Sequence, residues 1–231
     1  MKNRISLAFL SGLAAFLITA LLTTGAITWV VYSYENEEKT EVSVVHEDEK
    51  SYAEPVAIDE EYLLSVLASI DEVSWSKKSA DNKIQILQLI ADYEAINVLG
   101  IPSTKVFYDV LNDDFAGVYS QASYRYDSSI TIDKNFLYEG SCRVVIGCLL
   151  HEIRHHYQIT LINVMNDAAK VDASHKNINI FRDAAIYEEN KKEYKKFDAD
   201  GEIAYLSQPL EVDARAYSLL RMAEFYTKAL P

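Results

Sequence analysis

The alternation of apolar and polar positions divides the chain into three stretches. Residues 5–31 are almost continuously apolar, broken only by Ser, Gly and Thr, and no charged residue occurs from Ile5 to Tyr34. A core helix would keep a polar face, and this stretch has none. As a helix, its twenty-seven residues at about 1.5 Å each span roughly 40 Å, more than the ~30 Å hydrocarbon core of a bilayer. Lys2 and Arg4 precede it, and Glu35, Glu37 and Glu38 follow. The positive-inside rule then places the N-terminus in the cytoplasm and the remainder outside, with Trp29, Tyr32 and Tyr34 at the outer headgroup level. The competing reading is a cleaved signal peptide, for which Thr24-Gly25-Ala26 offers a small-residue cleavage site. The apolar run continues past that point through Ile27, Trp29, Val30 and Val31, so residues 1–34 are expected to be an uncleaved membrane anchor, with secretion after cleavage as the alternative.

Residues 35–57 are acidic, poor in large aliphatics and end near Pro55, the pattern of a solvated linker. Helical periodicity begins at Ile58. Leu63, Val66, Leu67 and Ile70 share one face, and a second helix carries Ile84, Leu87, Ile90 and Ile96 before Gly100 and Pro102 stop it. The period then changes to two. Val106, Tyr108 and Val110 alternate, Asn112-Asp113-Asp114 turns, Gly117 to Tyr126 alternates again, and after Asp127-Ser128 a third short strand covers Ser129 to Asp133. An apolar helix follows over about 141–162, a charged amphipathic stretch over 181–197, and a last helix over about 210–230. Helices around a small antiparallel sheet make an α+β domain over residues 58–231, without internal repeat or second domain boundary. About 175 residues suffice to bury a core without covalent staples.

Composition narrows the function classes. Of 231 residues, 49% are apolar and 25% charged, as in a folded protein. Lys and Arg total 22 against 35 Asp and Glu, a net charge of −13, which argues against a nucleic-acid partner. Gly (7) and Pro (4) are scarce, which favours helices over a sandwich of many short strands. Two cysteines are too few for a disulfide scaffold, a Cys-rich zinc ribbon or an iron–sulfur protein. Cys142 and Cys148 lie on opposite sides of one helix, a poor geometry for a mutual bridge, and Cys148 reads as a small apolar core residue.

Within the apolar helix stands His151-Glu152-Ile153-Arg154-His155. Histidines at i and i+4 project from one face a turn apart, so both imidazoles can reach one Zn²⁺ at about 2.0–2.1 Å. Glu152, between them in sequence, is placed to act as general base rather than ligand. Satisfied core histidines are the alternative, but two of them in the middle of so apolar a helix would be costly. His156 points about 100° away from His155 and is expected at the surface or behind the ligands. A catalytic zinc site takes a third protein ligand and keeps a fourth position open. The next histidine, His175, lies in a polar stretch, so a carboxylate is expected. Glu211 is the candidate: Pro209 starts a helix, Glu211 falls in its first turn, and Ala214 on the same face lets that helix approach closely. A first-turn Glu also has a purely structural use, complementing the helix dipole. Glu188, Glu189 and Glu193 are rivals in a strongly charged, solvated stretch.

Over roughly residues 80–230 the chain resembles the gluzincin metallopeptidases, particularly their minimal forms. The resemblance rests on Gly117-Val118-Tyr119, the strand Ile130-Thr131-Ile132, the helix with His151-Glu152 and His155, and the downstream Glu-x-x-Ala of Glu211 to Ala214. It implies a zincin-like fold with zinc held by His151, His155 and Glu211, Glu152 as base, and a peptide or protein substrate. Arg215 stands where the family's Glu-x-x-x-Asp pattern has Asp, and Asp213 is a candidate to support a histidine in its place. Tyr157, Tyr205, Tyr217 and Arg215 are near enough in sequence to serve as an oxyanion stabiliser, and none is singled out. The expectation is a membrane-anchored extracytoplasmic zinc metallopeptidase. The alternatives are a non-catalytic zincin-like surface binding or immunity module, and a tethered interaction domain in which the motif is accidental.

Overall fold

Asp59, Asp71 and Ser79 each turn a side-chain oxygen back onto the first free N–H groups of a helix, and so fix the starts of α1 (Glu60–Ala68), α2 (Glu72–Ser76) and α3 (Ala80–Tyr93). The computed structural model describes residues 58–111, 116–121 and 128–229. The expected anchor, the acidic linker and the Asn112-Asp113-Asp114 turn lie outside these. Among the described residues, no helix is long and apolar enough to cross a membrane. Leu63, Leu67 and Ile70, and from α3 Leu87 and Ile90, are buried as their periodicity predicts. α3 runs on into a π-helical turn, Glu94–Val98, and Gly100 ends it with a φ of 64°, a conformation open to a residue without Cβ.

Three strands follow, β1 (Lys105–Asp109), β2 (Gly117–Gln121) and β3 (Ser128–Asp133), in the spatial order β1-β3-β2. β3 pairs antiparallel with β2, with Tyr119 opposite Ile130, but parallel with β1, where Val106 meets Ile130 and Tyr108 meets Ile132. The sheet is therefore mixed, not antiparallel as expected. The strand with two fully buried isoleucines, Ile130 and Ile132, takes the centre, and β1 stays at the edge beside α3, where the Val106 N–H donates to Gln88 Oε1 at 2.8 Å. β3 begins at Ser128, inside the expected turn.

Asp133 caps a short helix that the apolar pattern did not reveal, α4 (Lys134–Glu139), by accepting from Phe136 N at 2.8 Å. Ser141 then caps α5 (Cys142–Val171), which starts where expected and extends past Ile162 to 30 residues. The expected charged stretch is broken up. After 3-10 turns at Ala173–Asn177 and Asn179–Phe181 come α6 (Arg182–Lys192), α7 (Phe197–Asp200) and α8 (Glu202–Ser207). α9 (Pro209–Lys228) closes the fold, with Pro209 at its first position as predicted. α5 and α9 pack on each other, and Ser218 Oγ donates to the Gly147 carbonyl at 2.6 Å. A second tie joins α9 to the π-helical turn. There the fully buried Glu94 carboxylate accepts from Arg221 Nε at 2.8 Å, from Arg221 Nη2 at 2.5 Å, and from the Tyr217 hydroxyl.

Candidate metal centre

The i, i+4 spacing on α5 and the first turn of α9 bring His151, His155 and Glu211 into one buried group. Each offers one ligand atom, all lie within 4.8 Å of one another, and the group could hold a metal ion. The two Nε2 atoms are 3.0 Å apart, with Glu211 Oε2 3.4 Å from His151 Nε2 and Oε1 3.3 Å from His155 Nε2. This donor set fits a cation, since two imidazole nitrogens this close repel unless a proton or a metal ion lies between them. Burial pulls the His151 imidazole down to about 4. At His155 burial acts in the same direction, but the Glu211 charge outweighs it and raises the ring. Glu211 is buried too, yet the two histidines hold it well below the usual carboxylate range. The centre thus keeps a carboxylate and at least one neutral imidazole, the protonation states that metal ligands need.

The environment of each candidate sorts the alternatives. Glu152 is fully buried beside the pair, and its charge acts on His155 and on Tyr194. Glu188 instead accepts from Asn166 Nδ2 at 2.8 Å and pairs with Lys176, Glu189 pairs with Lys192, and Glu193 is exposed. Asp213 does not touch a histidine. It accepts a forked pair of bonds from Arg154 Nε (2.7 Å) and Nη2 (3.0 Å), and a third from Gln158 Nε2 (2.8 Å). Gln158 Oε1 in turn lies 2.7 Å from His155 Nδ1. Cys148 is a buried free thiol, pushed well up by burial, as the core reading expects.

His156 departs from expectation in part. It is no member of the metal group, but it is buried, not at the surface. Its Nε2 lies 2.8 Å from the Pro102 carbonyl, which can only accept, so Nε2 donates. Nδ1 is left to accept from the Tyr119 hydroxyl at 3.2 Å, with Ser128 Oγ 3.4 Å away. The ring therefore fastens β2 and β3 to α5.

The four residues weighed as oxyanion stabilisers separate as well. Tyr217 is committed to Glu94, and Tyr157 lies under the Arg154 guanidinium at 4.4 Å. Arg215 donates to the Leu206 carbonyl, with Nη1 3.7 Å from Glu211 Oε2. Tyr205 is fully buried and stacks edge-on with Tyr194 (6.2 Å) and Phe197 (5.9 Å). Sequence reasoning missed Tyr194, whose hydroxyl donates to Glu211 Oε1 at 2.7 Å. Its backbone neighbour Lys195 is clamped by Gln208, whose amide donates to the Lys195 carbonyl (2.9 Å) and accepts from the Lys195 N–H (3.1 Å). The available signal was an aromatic ring within a run of Lys and Glu. Gln158 was missed too, although its i+3 spacing from His155 on a helix was a signal.

Comparison of the chain with protein-family models, with curated proteins and with solved structures gives no match.

Proposed function

We propose that the protein is a gluzincin-like zinc metallopeptidase, anchored in the cell membrane by residues 5–31 with residues 58–231 outside. The observation that carries this reading is the convergence of His151 and His155, one turn apart on α5, with Glu211 from the first turn of the helix packed against it. Two imidazoles and a carboxylate are the donor set of catalytic zinc, which when bound supplies a Lewis acid and a water of lowered pKa. Glu152, buried beside the pair, accepts the proton of the attacking water and hands it to the departing amine nitrogen. An extended peptide finds its backbone partners along β2, an edge strand that packs against α5. How closely is shown by Gly117, where an added Cβ would come within 2.9 Å of Cys148 Sγ, one turn before His151. Arg215 in place of the family's Asp removes one familiar support, and Asp213 acts instead through Gln158.

One observation favours a second reading, a non-catalytic surface module that uses the ion for structure. The three ligands are 0–8% exposed, and Tyr194 and Tyr205 lie against Glu211, whereas a catalytic site needs a reachable position at the metal. Metal analysis joined to cleavage of a mixed peptide library by wild type and Glu152→Gln separates the two. The peptidase reading expects one zinc per chain in both proteins and cleavage by the wild type alone. Zinc in both with cleavage by neither establishes the structural module, and a wild type without zinc refutes both readings.

A further inference from the structure

Gln158 is fully buried, and its amide touches both helices of the candidate centre. One turn beyond His155 on α5, its Oε1 meets His155 Nδ1 at 2.7 Å, while its Nε2 donates to the Leu210 carbonyl at 2.9 Å and to Asp213 Oδ2 at 2.8 Å. Leu210 precedes Glu211 in the first turn of α9, and Asp213 begins the next turn. We propose that Gln158 is a positioning residue that fixes the tautomer of His155 and gauges its distance from Glu211. The inference rests on the metal-centre reading above for its purpose, though not for its geometry.

Donor and acceptor counts fix the orientation of the Gln158 amide. A primary amide has two hydrogens on nitrogen and none on oxygen. Both hydrogens of Gln158 point at groups that can only accept: a helix carbonyl, and a carboxylate already gripped by Arg154 Nε and Nη2. Turning the amide over would set its oxygen against both of those oxygens at under 3 Å, and its NH₂ against His155. The orientation is therefore fixed, and Oε1 faces His155 and must be given a proton. His155 Nδ1 supplies it, so in the neutral ring the lone pair sits on Nε2. That atom faces His151 Nε2 (3.0 Å) and Glu211 Oε1 (3.3 Å), so the lone pair is aimed at the centre of the group. The same two hydrogens hold the turn bearing Glu211 to α5 whether or not an ion is bound. Loss of a group that orients a histidine ligand in this way typically costs ten- to a hundredfold in metal affinity.

The test uses the full-length protein with ¹⁵N-labelled histidine, the His155 signals being assigned by their loss in His155→Gln. In the zinc-free wild type, the neutral His155 ring should carry its proton on Nδ1, and a neutral ring protonated on Nε2 alone overturns the proposal whatever the variants do. Gln158→Leu should bind zinc ten- to a hundredfold more weakly in competition with a chromophoric chelator. It should also release the tautomer and shift the visible spectrum of the cobalt-loaded protein, which a merely structural contact would leave unchanged. Affinity within twofold of wild type, with tautomer and spectrum unaltered, refutes the role. A wild type that shows the Nδ1 tautomer but takes up no zinc removes the metal-centre reading and leaves the Gln158 geometry intact.

Discussion

The buried pair Glu94–Arg221 ties α9 to the π-helical turn, and breaking it from one side should cost stability. Glu94 is fully buried at the π-helical end of α3, and Arg221 holds it through Nε and Nη2 from the middle of α9. Replacing Glu94 by Leu leaves the Arg221 guanidinium, whose side chain is only 12% exposed, without its forked partner. Breaking a buried pair from one side costs about 3–5 kcal/mol. Arg221 keeps Glu224, a 40% exposed carboxylate that bonds Nη1, so the lower figure applies and about 3 kcal/mol is expected. Arg221→Met strands the more deeply buried charge, Glu94, and belongs at about 5 kcal/mol. At roughly 2–4 °C per kcal/mol for a domain of this size, the first variant should melt about 6–12 °C below wild type. The double variant removes both charges together and should recover most of the loss. Urea unfolding of the four proteins, followed by far-ultraviolet circular dichroism, closes the cycle. Additive single effects, or a Glu94→Leu cost under about 1 kcal/mol, would show that the pair does not brace α9.

Three further outcomes follow from other parts of the molecule. On the proposed peptidase reading, Glu211→Ala should lose zinc and activity together, whereas Asp213→Asn should keep full zinc stoichiometry at an affinity lowered about tenfold or less; metal analysis and chelator competition check both. Gly117→Ala should destabilise by about 1–3 kcal/mol in urea unfolding, because the new Cβ meets Cys148 Sγ at 2.9 Å, and adding Cys148→Ala should relieve the clash. Neither cysteine should react with a thiol reagent at pH 8 in the native protein, since both are buried and burial pushes the Cys142 thiol up to about 12; two thiols should appear on denaturation.

What the sequence disclosed about the site is what local geometry determines. The i, i+4 rule puts His151 and His155 on one face wherever the segment is helical, and Pro209 marks the start of a helix whose first turn carries Glu211. Rotation kept His156 out of the metal group, as found, but its surface alternative failed because it assumes that a helix has a wet side. Around the motif α5 has almost none, with Cys148 to Ile153 buried without a break and His155 and His156 buried as well. Strand order was out of reach for a different reason. Alternation shows that Ile130 and Ile132 face the same way, but not that β3 lies between β1 and β2 with β1 running parallel to it. Helical spacing sets Gln158 beside His155, but its hold on Leu210 and that of Tyr194 on Glu211 join residues 52 and 17 apart along the chain, and no short-range pattern encodes such pairings.

The burial of His151, His155 and Glu211, with Tyr194 and Tyr205 against Glu211, also bears on kinetics. On the surface-module reading, an ion at this group is shielded on its Glu211 side by Tyr194 and Tyr205, and a chelator gains that side only when their segment moves. Exchange then waits on the opening of that segment, a local unfolding event with its own free energy. The rate of metal loss should therefore level off as chelator concentration rises, at the frequency with which Gln208 lets go of the Lys195 backbone and the tyrosines swing clear. A weakly bound ion could in this way outlast a tightly bound one in an open cleft, and the lifetime of the loaded protein would be set by a side-chain amide far from the metal's own chemistry.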